Sequence, residues 1–273
     1  MPTTSLQAAN THQRIPWISL PKAFVFLLKN PRLLGLSLLL VLLTGALTWL
    51  GYLETIHLVD AWTAPFFQHP PTYNGWLGWF LAKSWVMVKY LFLAISRITA
   101  FYLAFLLAYC CTSPGYVFLA SATEKIYRGN RLSADEGFSV GTILVDLMEG
   151  IKIGMVGLLV TVVALVVNFI PVAGQGLVFL LYAFYSALMF IDYPASNHHW
   201  SLGRKIAWIK RHKDRAIRLG LLPALISLIP IVNIMLMALF FPLFTVHTTL
   251  NFLVVEAAQN DLTPGLSSGN AVV

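Results

Sequence analysis

The residues of this chain that could do chemistry are polar side chains set beside long apolar segments. The run Asp192-Tyr193-Pro194-Ala195-Ser196-Asn197-His198 supplies a carboxylate, an amide and an imidazole within seven residues. Such a group could line a polar path through a membrane. The alternative is a local role, because Asp192 and Asn197 can bond free backbone groups where Pro194 is expected to end a helix.

Two cationic positions could act on anions. Arg97 lies inside an apolar stretch, and an ionisable group at membrane depth marks a pathway or an ion pair. An arginine that snorkels toward the aqueous end with Lys83 and Lys89 is the alternative. The segment Asn30-Pro31-Arg32 puts a cation at the start of a predicted helix, where free amides and the helix dipole favour an oxyanion. An interfacial anchor explains the same three residues.

Sequence motifs for catalysis or metal binding are absent. The sequence contains no nucleophile elbow, P-loop, dinucleotide fingerprint or metal-spaced set of histidines and cysteines. The side chains of the adjacent His198 and His199 diverge, and the adjacent Cys110 and Cys111 do not form a disulfide framework. The chain is therefore predicted not to be an enzyme and to need no cofactor or metal.

The composition predicts an all-α integral membrane protein. The chain is 58% hydrophobic and only 11% charged, with a mean hydropathy of +0.75, whereas a soluble domain carries about 25% charged residues. Residues 1–15 are predicted to be a disordered N-terminal tail, 16–256 a single membrane domain and 257–273 a disordered C-terminal tail. No cleavable signal is expected, because the apolar run after residue 15 continues past residue 50.

Two segments interrupt long apolar runs in the same way and predict helical hairpins. Phe169-Ile170-Pro171-Val172-Ala173-Gly174 and Leu228-Ile229-Pro230-Ile231-Val232-Asn233 each combine an apolar pair, a proline and a turn former. The predicted arms are 153–170, 176–191, 219–229 and 234–254. The third arm would rise only about 16 Å, roughly half a hydrocarbon core. This favours two partly penetrating (re-entrant) hairpins over four crossing helices, and each tip must then avoid lipid.

Two long transmembrane helices are predicted before the hairpins, together with interfacial amphipathic helices. The long helices are Leu33–Leu53 and Trp76–Cys111, joined by a connector at 51–75 that has no lysine or arginine. Residues 16–30 form a predicted interfacial helix. Residues 204–218 carry seven of the 18 lysines and arginines, which suits anionic lipid rather than nucleic acid. The basic regions predict a cytoplasmic face with both termini inside if the hairpins re-enter.

Several motifs together resemble one family, the CysZ sulfate permeases and the related eukaryotic etoposide-induced membrane proteins. Their order and spacing match as well, over about residues 16–256. The motifs are Ser113-Pro114…Leu119-Ala120…Glu124…Gly129, Glu149-Gly150-Ile151-Lys152, Phe169-Ile170-Pro171…Gly174-Gln175, Asp192-Tyr193-Pro194…Asn197-His198 and Ile229-Pro230-Ile231-Val232-Asn233. The resemblance implies two long transmembrane helices, two partly penetrating hairpins, a homo-oligomer and sulfate uptake for cysteine synthesis.

The resemblance also implies roles for individual residues. Glu124 and His198 match charged or polar positions associated with the family's pathway, and Arg128 is a basic residue nearby. The family's oxyanion contact is a pair of arginines at the start of the first long helix. The corresponding segment here is Asn30-Pro31-Arg32, which has one arginine.

The expected function is a multi-pass permease or channel of the bacterial inner membrane for sulfate or a similar oxyanion. It would supply sulfur for cysteine synthesis, with Asn30, Pro31 and Arg32 binding the oxyanion. The expected pathway-lining residues are Arg97, Glu124, Arg128, Asp192, Asn197 and His198. The alternative is a non-transporting membrane scaffold or lipid-shaping protein of the same fold.

Overall fold

The regular structure of the described chain is entirely helical. A computed structural model describes residues 15–68, 75–129, 140–171, 173–229 and 232–262. The helices are α1 (Leu20–Lys29), α2 (Pro31–Gln68), α3 (Trp76–Tyr127), α4 (Val140–Val167), α5 (Ala173–Asn197), α6 (Leu202–Arg211), α7 (Lys213–Ser227) and α8 (Val232–Leu262). The expectations for 1–14, 263–273, Val172, Pro230 and Ile231 lie outside the described residues.

Five of these helices are long and apolar enough to cross a membrane. The candidate spans are Pro31–Gln68, Trp76–Tyr127, Gly150–Val167, Ala173–Asn197 and Asn233–Gln259. Helix α7 is not among them, since its 15 residues rise only about 22 Å. The prediction of an all-α membrane protein is confirmed at this level. Helix α8 is the most enclosed candidate span, with 83% of its apolar window buried.

The predicted connector at 51–75 is wrong over most of its length. Helix α2 continues through it to Gln68 and contains Pro65, and α3 likewise continues past Cys111 to Tyr127. Charges in the α2 extension suggested a loop, but the two helices form a long antiparallel pair in which Asp60 meets Arg97. Arg97 on the neighbouring helix therefore balances the charge of Asp60, so this segment can stay helical.

Small side chains let α2 and α3 approach closely. Ala100, Ala104, Ala108 and Thr112 form a buried stripe on α3 at four-residue spacing. The hydroxyl of Thr44 donates to that of Thr112 at 3.3 Å. Small residues at this spacing drive helix association where lipid offers no hydrophobic gain. The pair α2–α3 thus has a fixed antiparallel register.

Helices α5 and α7 cross at still closer range. A Cβ atom added to Gly220 would lie 1.8 Å from the carbonyl oxygen of Ala183 on α5. The crossing therefore brings backbone against backbone and requires glycine at this position of α7. This contact holds the short α7 against the helix that carries Asp192 and Asn197.

Two further expectations about helix ends are corrected. Pro194 does not end a helix, because α5 runs through it to Asn197 in a fully buried stretch where neighbouring helices enclose the proline turn. The basic segment expected as one helix is two, α6 and α7, divided at His212, whose φ of −117° and ψ of 46° are not helical. The separate orientation of α6 lets Lys205 turn inward.

An extended strap precedes α1 and fixes its position. The side-chain amide of Asn251 on α8 accepts from the Ile18 N–H at 3.1 Å and donates to the Ile18 carbonyl at 2.9 Å. His247 lies 2.9 Å from the same carbonyl, and Arg215 donates to the carbonyls of Ile15 and Pro16. The strap thereby positions α1, whose end leads directly into α2.

Candidate functional site

Glu124, Arg128 and His198 meet in one cluster. Glu124 Oε1 lies 2.8 Å from Nη2 of Arg128, and Glu124 Oε2 lies 3.3 Å from Nε2 of His198. The carboxylate side chain is 13% exposed, whereas those of Arg128 and His198 are 52% and 34% exposed. Each carboxylate oxygen thus has its own basic partner, and both partners face solvent-accessible space.

The ends of two helices position this cluster. Glu124 is on the last turns of α3, and Arg128 caps that helix with its N–H bonded to the Glu124 carbonyl at 2.9 Å. His198 follows α5 immediately, where His199 adopts a left-handed φ of 52°. The N–H of Trp200 then returns to the Ala195 carbonyl at 3.1 Å. This turn stops α5 and leaves the His198 ring beside α3.

Asp192 lies in a separate, buried cluster. Its Oδ1 is 2.6 Å from Nζ of Lys205, which is 0% exposed, and Ser196 donates to the same carboxylate oxygen at 3.3 Å. The prediction that Lys205 faces lipid with the other basic residues of 204–218 is therefore wrong. Asp192 and Ser196 show four-residue helical spacing, but nothing in the sequence indicates their partner on α6. The ion pair ties α6 to α5.

Asn197, which lies between Asp192 and His198 in the chain, has an unpaired side-chain donor. Its Nδ2 is buried and has no hydrogen-bond partner among the described residues. Buried amides are normally paired, so an unpaired one indicates a role or an unseen partner. Asn197 immediately precedes His198 in the chain, at the end of α5.

Arg97 is not part of the same group. Its Nη2 atom lies 3.1 Å from Oδ2 of Asp60, and both side chains are partly exposed. Along α3 the distance from Arg97 to Glu124 is about 40 Å, which exceeds a hydrocarbon core of about 30 Å. Arg97 lies near the middle of α3, while Glu124 lies on its last turns. Asp60 was not predicted as the partner of Arg97 from the sequence.

Arg32 stands at the same end of the α2–α3 pair as Glu124. Contacts join Asp60 to Arg97 and Thr44 to Thr112, and a Cβ atom on Gly115 would meet Leu40. Continuing this antiparallel register brings residue 32 level with residue 124. Asn30 ends α1, its carbonyl accepts from the Leu34 N–H at 3.0 Å, and Pro31 and Arg32 are exposed on the first turn of α2.

Among the described residues, no group of three or more histidine, cysteine, aspartate or glutamate residues could hold a metal ion. Glu124 with His198 supplies only two such ligands, and Arg128 already engages the carboxylate.

The fold and the charge-balanced cluster define a multi-pass membrane protein with a polar site among apolar helices. A family model described as "Sulfate transporter CysZ/Etoposide-induced protein 2.4" matches residues 19–254. The chain belongs to this family. The resemblance seen in the sequence motifs is thereby confirmed.

Relatives in several bacteria are similar over most of their length. A protein named "Sulfate transporter CysZ" from Pseudomonas syringae pv. tomato is 28% identical over 75% of this chain and 78% of its own. Proteins of the same name from Pseudomonas fluorescens and Pectobacterium atrosepticum are 27% and 26% identical. Each match covers 75% of this chain, with 79% and 72% of the relative respectively.

Proposed function

We propose that this chain is a permease or channel for sulfate or a similar oxyanion in the bacterial inner membrane. It would supply sulfur for cysteine synthesis. The observation that carries the proposal is Glu124 bridging Arg128 and His198 in a chain whose relatives are named sulfate transporters. The cluster joins residues from two helix ends into one accessible polar site.

Charge balance at the cluster suits conduction of a dianion. A carboxylate alone repels sulfate, while unpaired arginine and protonated histidine hold it too tightly to release it. Passage requires binding that is favourable enough for the ion to enter and weak enough for it to leave. Glu124 paired with Arg128 and His198 meets that requirement.

The first turn of α2 is the proposed initial oxyanion contact. Pro31 leaves no backbone donor of its own, but the guanidinium of Arg32 lies at a helix N-terminus, where the helix dipole favours an anion. Arg32 is exposed and level with Glu124 along the helix pair. An anion held there would lie at the same level along the helix pair as the conducting cluster, without being buried.

The hairpins α4–α5 and α7–α8 are proposed to penetrate the bilayer partly. Helix α7 is too short to cross a core of about 30 Å. The tips carry exposed apolar side chains, with Phe169 87% and Leu228 51% exposed. Two described backbone groups beside the tips bond locally. The Gly174 N–H donates to the Ile170 carbonyl at 3.0 Å, and the Asn233 N–H donates to the Ile229 carbonyl at 3.0 Å. A homo-oligomer would enclose the polar path that such hairpins leave open.

Measuring sulfate flux distinguishes a transporter from a non-transporting scaffold. Purified protein in liposomes should take up radiolabelled sulfate in a saturable way, with chloride and phosphate tested as competitors. Charge reversal at exposed Arg211 and Lys213 tests the scaffold alternative, which predicts loss of liposome association and no sulfate flux in any variant. Under the transport proposal, the wild type conducts and the reversed variant keeps most of that flux.

A further inference from the structure

An apolar cleft with a cationic mouth lies between α4, α5 and the α6–α7 junction. Its volume is about 340 Å³, within the range of about 300–1,000 Å³ typical of small-molecule sites. Its walls include Val160 on α4, Leu181 and Phe184 on α5, and Ile206 on α6. Lys210 and Lys213 stand at its α6–α7 end. None of the Glu124 cluster residues lines it.

The two lysines are available to a ligand. Both are exposed, and neither forms an ion pair within the described residues. Lys205, one turn away from Ile209 on the same helix, is buried against Asp192 and therefore cannot contact a ligand in the cleft. The neighbouring acid, Asp214, is exposed and does not line the cleft. The cleft therefore offers two positive charges at one end of an otherwise apolar wall.

We propose that this cleft binds an anionic phospholipid, with one acyl chain along α4 and α5 and the headgroup phosphate on Lys210 and Lys213. An acyl chain matches the apolar lining, and an anionic headgroup matches the paired lysines at an amphipathic helix. Free sulfate has no apolar group that could pack against the cleft walls. A second copy of this chain would need its own acidic group at the lysines. The inference does not depend on transport.

Lipid binding to delipidated protein tests the proposal directly. Phosphatidylglycerol and phosphatidylcholine are titrated against the detergent-solubilised full chain, and bound lipid is counted by native mass spectrometry. The wild type should prefer phosphatidylglycerol. Lys210→Gln with Lys213→Gln should weaken phosphatidylglycerol binding about 30-fold, since each basic group near an anionic surface contributes a factor of about five. Phosphatidylcholine binding should fall much less, because its choline cation already offsets the charge of the phosphate.

Matched variants separate the site from general charge and from misfolding. Lys22→Gln with Lys29→Gln removes two exposed lysines from α1 and should leave the lipid preference intact. Val160→Phe fills the cleft and should lower binding of both lipids, whereas Val162→Phe on an exposed face of α4 should not. Lys210→Arg with Lys213→Arg should restore the preference.

Four results would overturn the proposal. The first is equal retention of the two lipids by the wild type. The second is an equal loss of phosphatidylglycerol binding in the α1 lysine pair and in the Lys210 and Lys213 pair. The third is a lipid-free dimer that Val160→Phe dissociates, which assigns the cleft to a second copy of the chain. The fourth is competition by inorganic phosphate at equal strength with phosphatidylglycerol, which would show that the acyl chain contributes nothing.

Discussion

Nε2 of His198 lies 3.3 Å from Oε2 of Glu124, although the two residues end different helices. The same carboxylate also holds Arg128 at 2.8 Å, so a single acid links the end of α3 to the turn after α5. The left-handed φ of His199 shapes that turn. The position of the imidazole therefore depends on a backbone conformation that non-glycine residues rarely adopt.

Arg32 is predicted to contribute to sulfate binding. Arg32→Ala removes an exposed guanidinium from the first turn of α2 and should weaken binding about two- to fivefold, as for a solvent-screened ionic contact. Lys29→Ala, an exposed cation on the last turn of α1, is the matched control and should change the Kd little. Equal Kd values for wild type and Arg32→Ala by isothermal titration calorimetry would show that Arg32 does not bind sulfate.

The Asp192–Lys205 pair is predicted to stabilise the attachment of α6. Lys205→Met leaves a buried carboxylate without its cation and should lower the free energy of unfolding by about 3–5 kcal/mol. Asp192→Asn together with Lys205→Met removes both charges and should be less destabilising than Lys205→Met alone. Denaturant unfolding in detergent measures both variants. If the double variant is the less stable one, the two side chains are not coupled as the contact indicates.

Gly220 is predicted to be required at the α5–α7 crossing. Gly220→Ala places a methyl group against the Ala183 carbonyl and should lower the free energy of unfolding by about 1–3 kcal/mol or more, because a backbone has to move. Gly176→Ala is the matched control, since its Cβ meets nothing within 4 Å. Thermal unfolding should show a lower Tm for the first variant only, and comparable Tm values would argue against close packing here.

His212 is predicted to make folding sensitive to acid. Burial, and then the nearby Arg211 and Arg215, hold the pKa of His212 below its ordinary value of 6.5. Its Nε2 lies 2.8 Å from the Gln259 amide nitrogen, so the neutral ring accepts that hydrogen bond. The unfolded chain takes up the proton at higher pH, so this stability is present above pH 6.5 and is lost as pH falls below it.

His212→Gln isolates that contribution from other titrating groups. The stability advantage of the wild type over the variant should shrink as pH falls from above 6.5 to below it, measured by thermal unfolding in detergent. A difference in Tm that stays constant across that range would contradict the assignment to His212.

The sequence predicted the helical membrane class well, because apolar runs and interfacial charges report it directly. Glu124 and His198 were indicated by their resemblance to family positions and Arg128 by its nearness in the sequence, and the structure brings the three side chains together. The partners Asp60 and Lys205 were missed because each lies on another helix and has no periodic relation to Arg97 or Asp192. Only a packed arrangement of helices reveals such pairs.

Helix ends were the less predictable part of the fold. Pro65, Pro114 and Pro194 all lie inside helices where a local rule places breaks. Neighbouring helices can re-satisfy the backbone groups that a proline frees within a membrane. The break at His212, by contrast, has neither proline nor glycine beside it. It permits Lys205 to point inward while Lys210 remains exposed.

Sulfate uptake by liposomes holding the wild type, Arg128→Gln and Glu124→Gln with Arg128→Gln tests the central claim most directly. The wild type should show saturable, sulfate-selective uptake. Arg128→Gln leaves a carboxylate facing the incoming dianion and should lower uptake, and the double variant should recover part of it because the local charge is again balanced. Uptake no greater than in empty liposomes, from wild-type protein shown to be folded, would contradict the account.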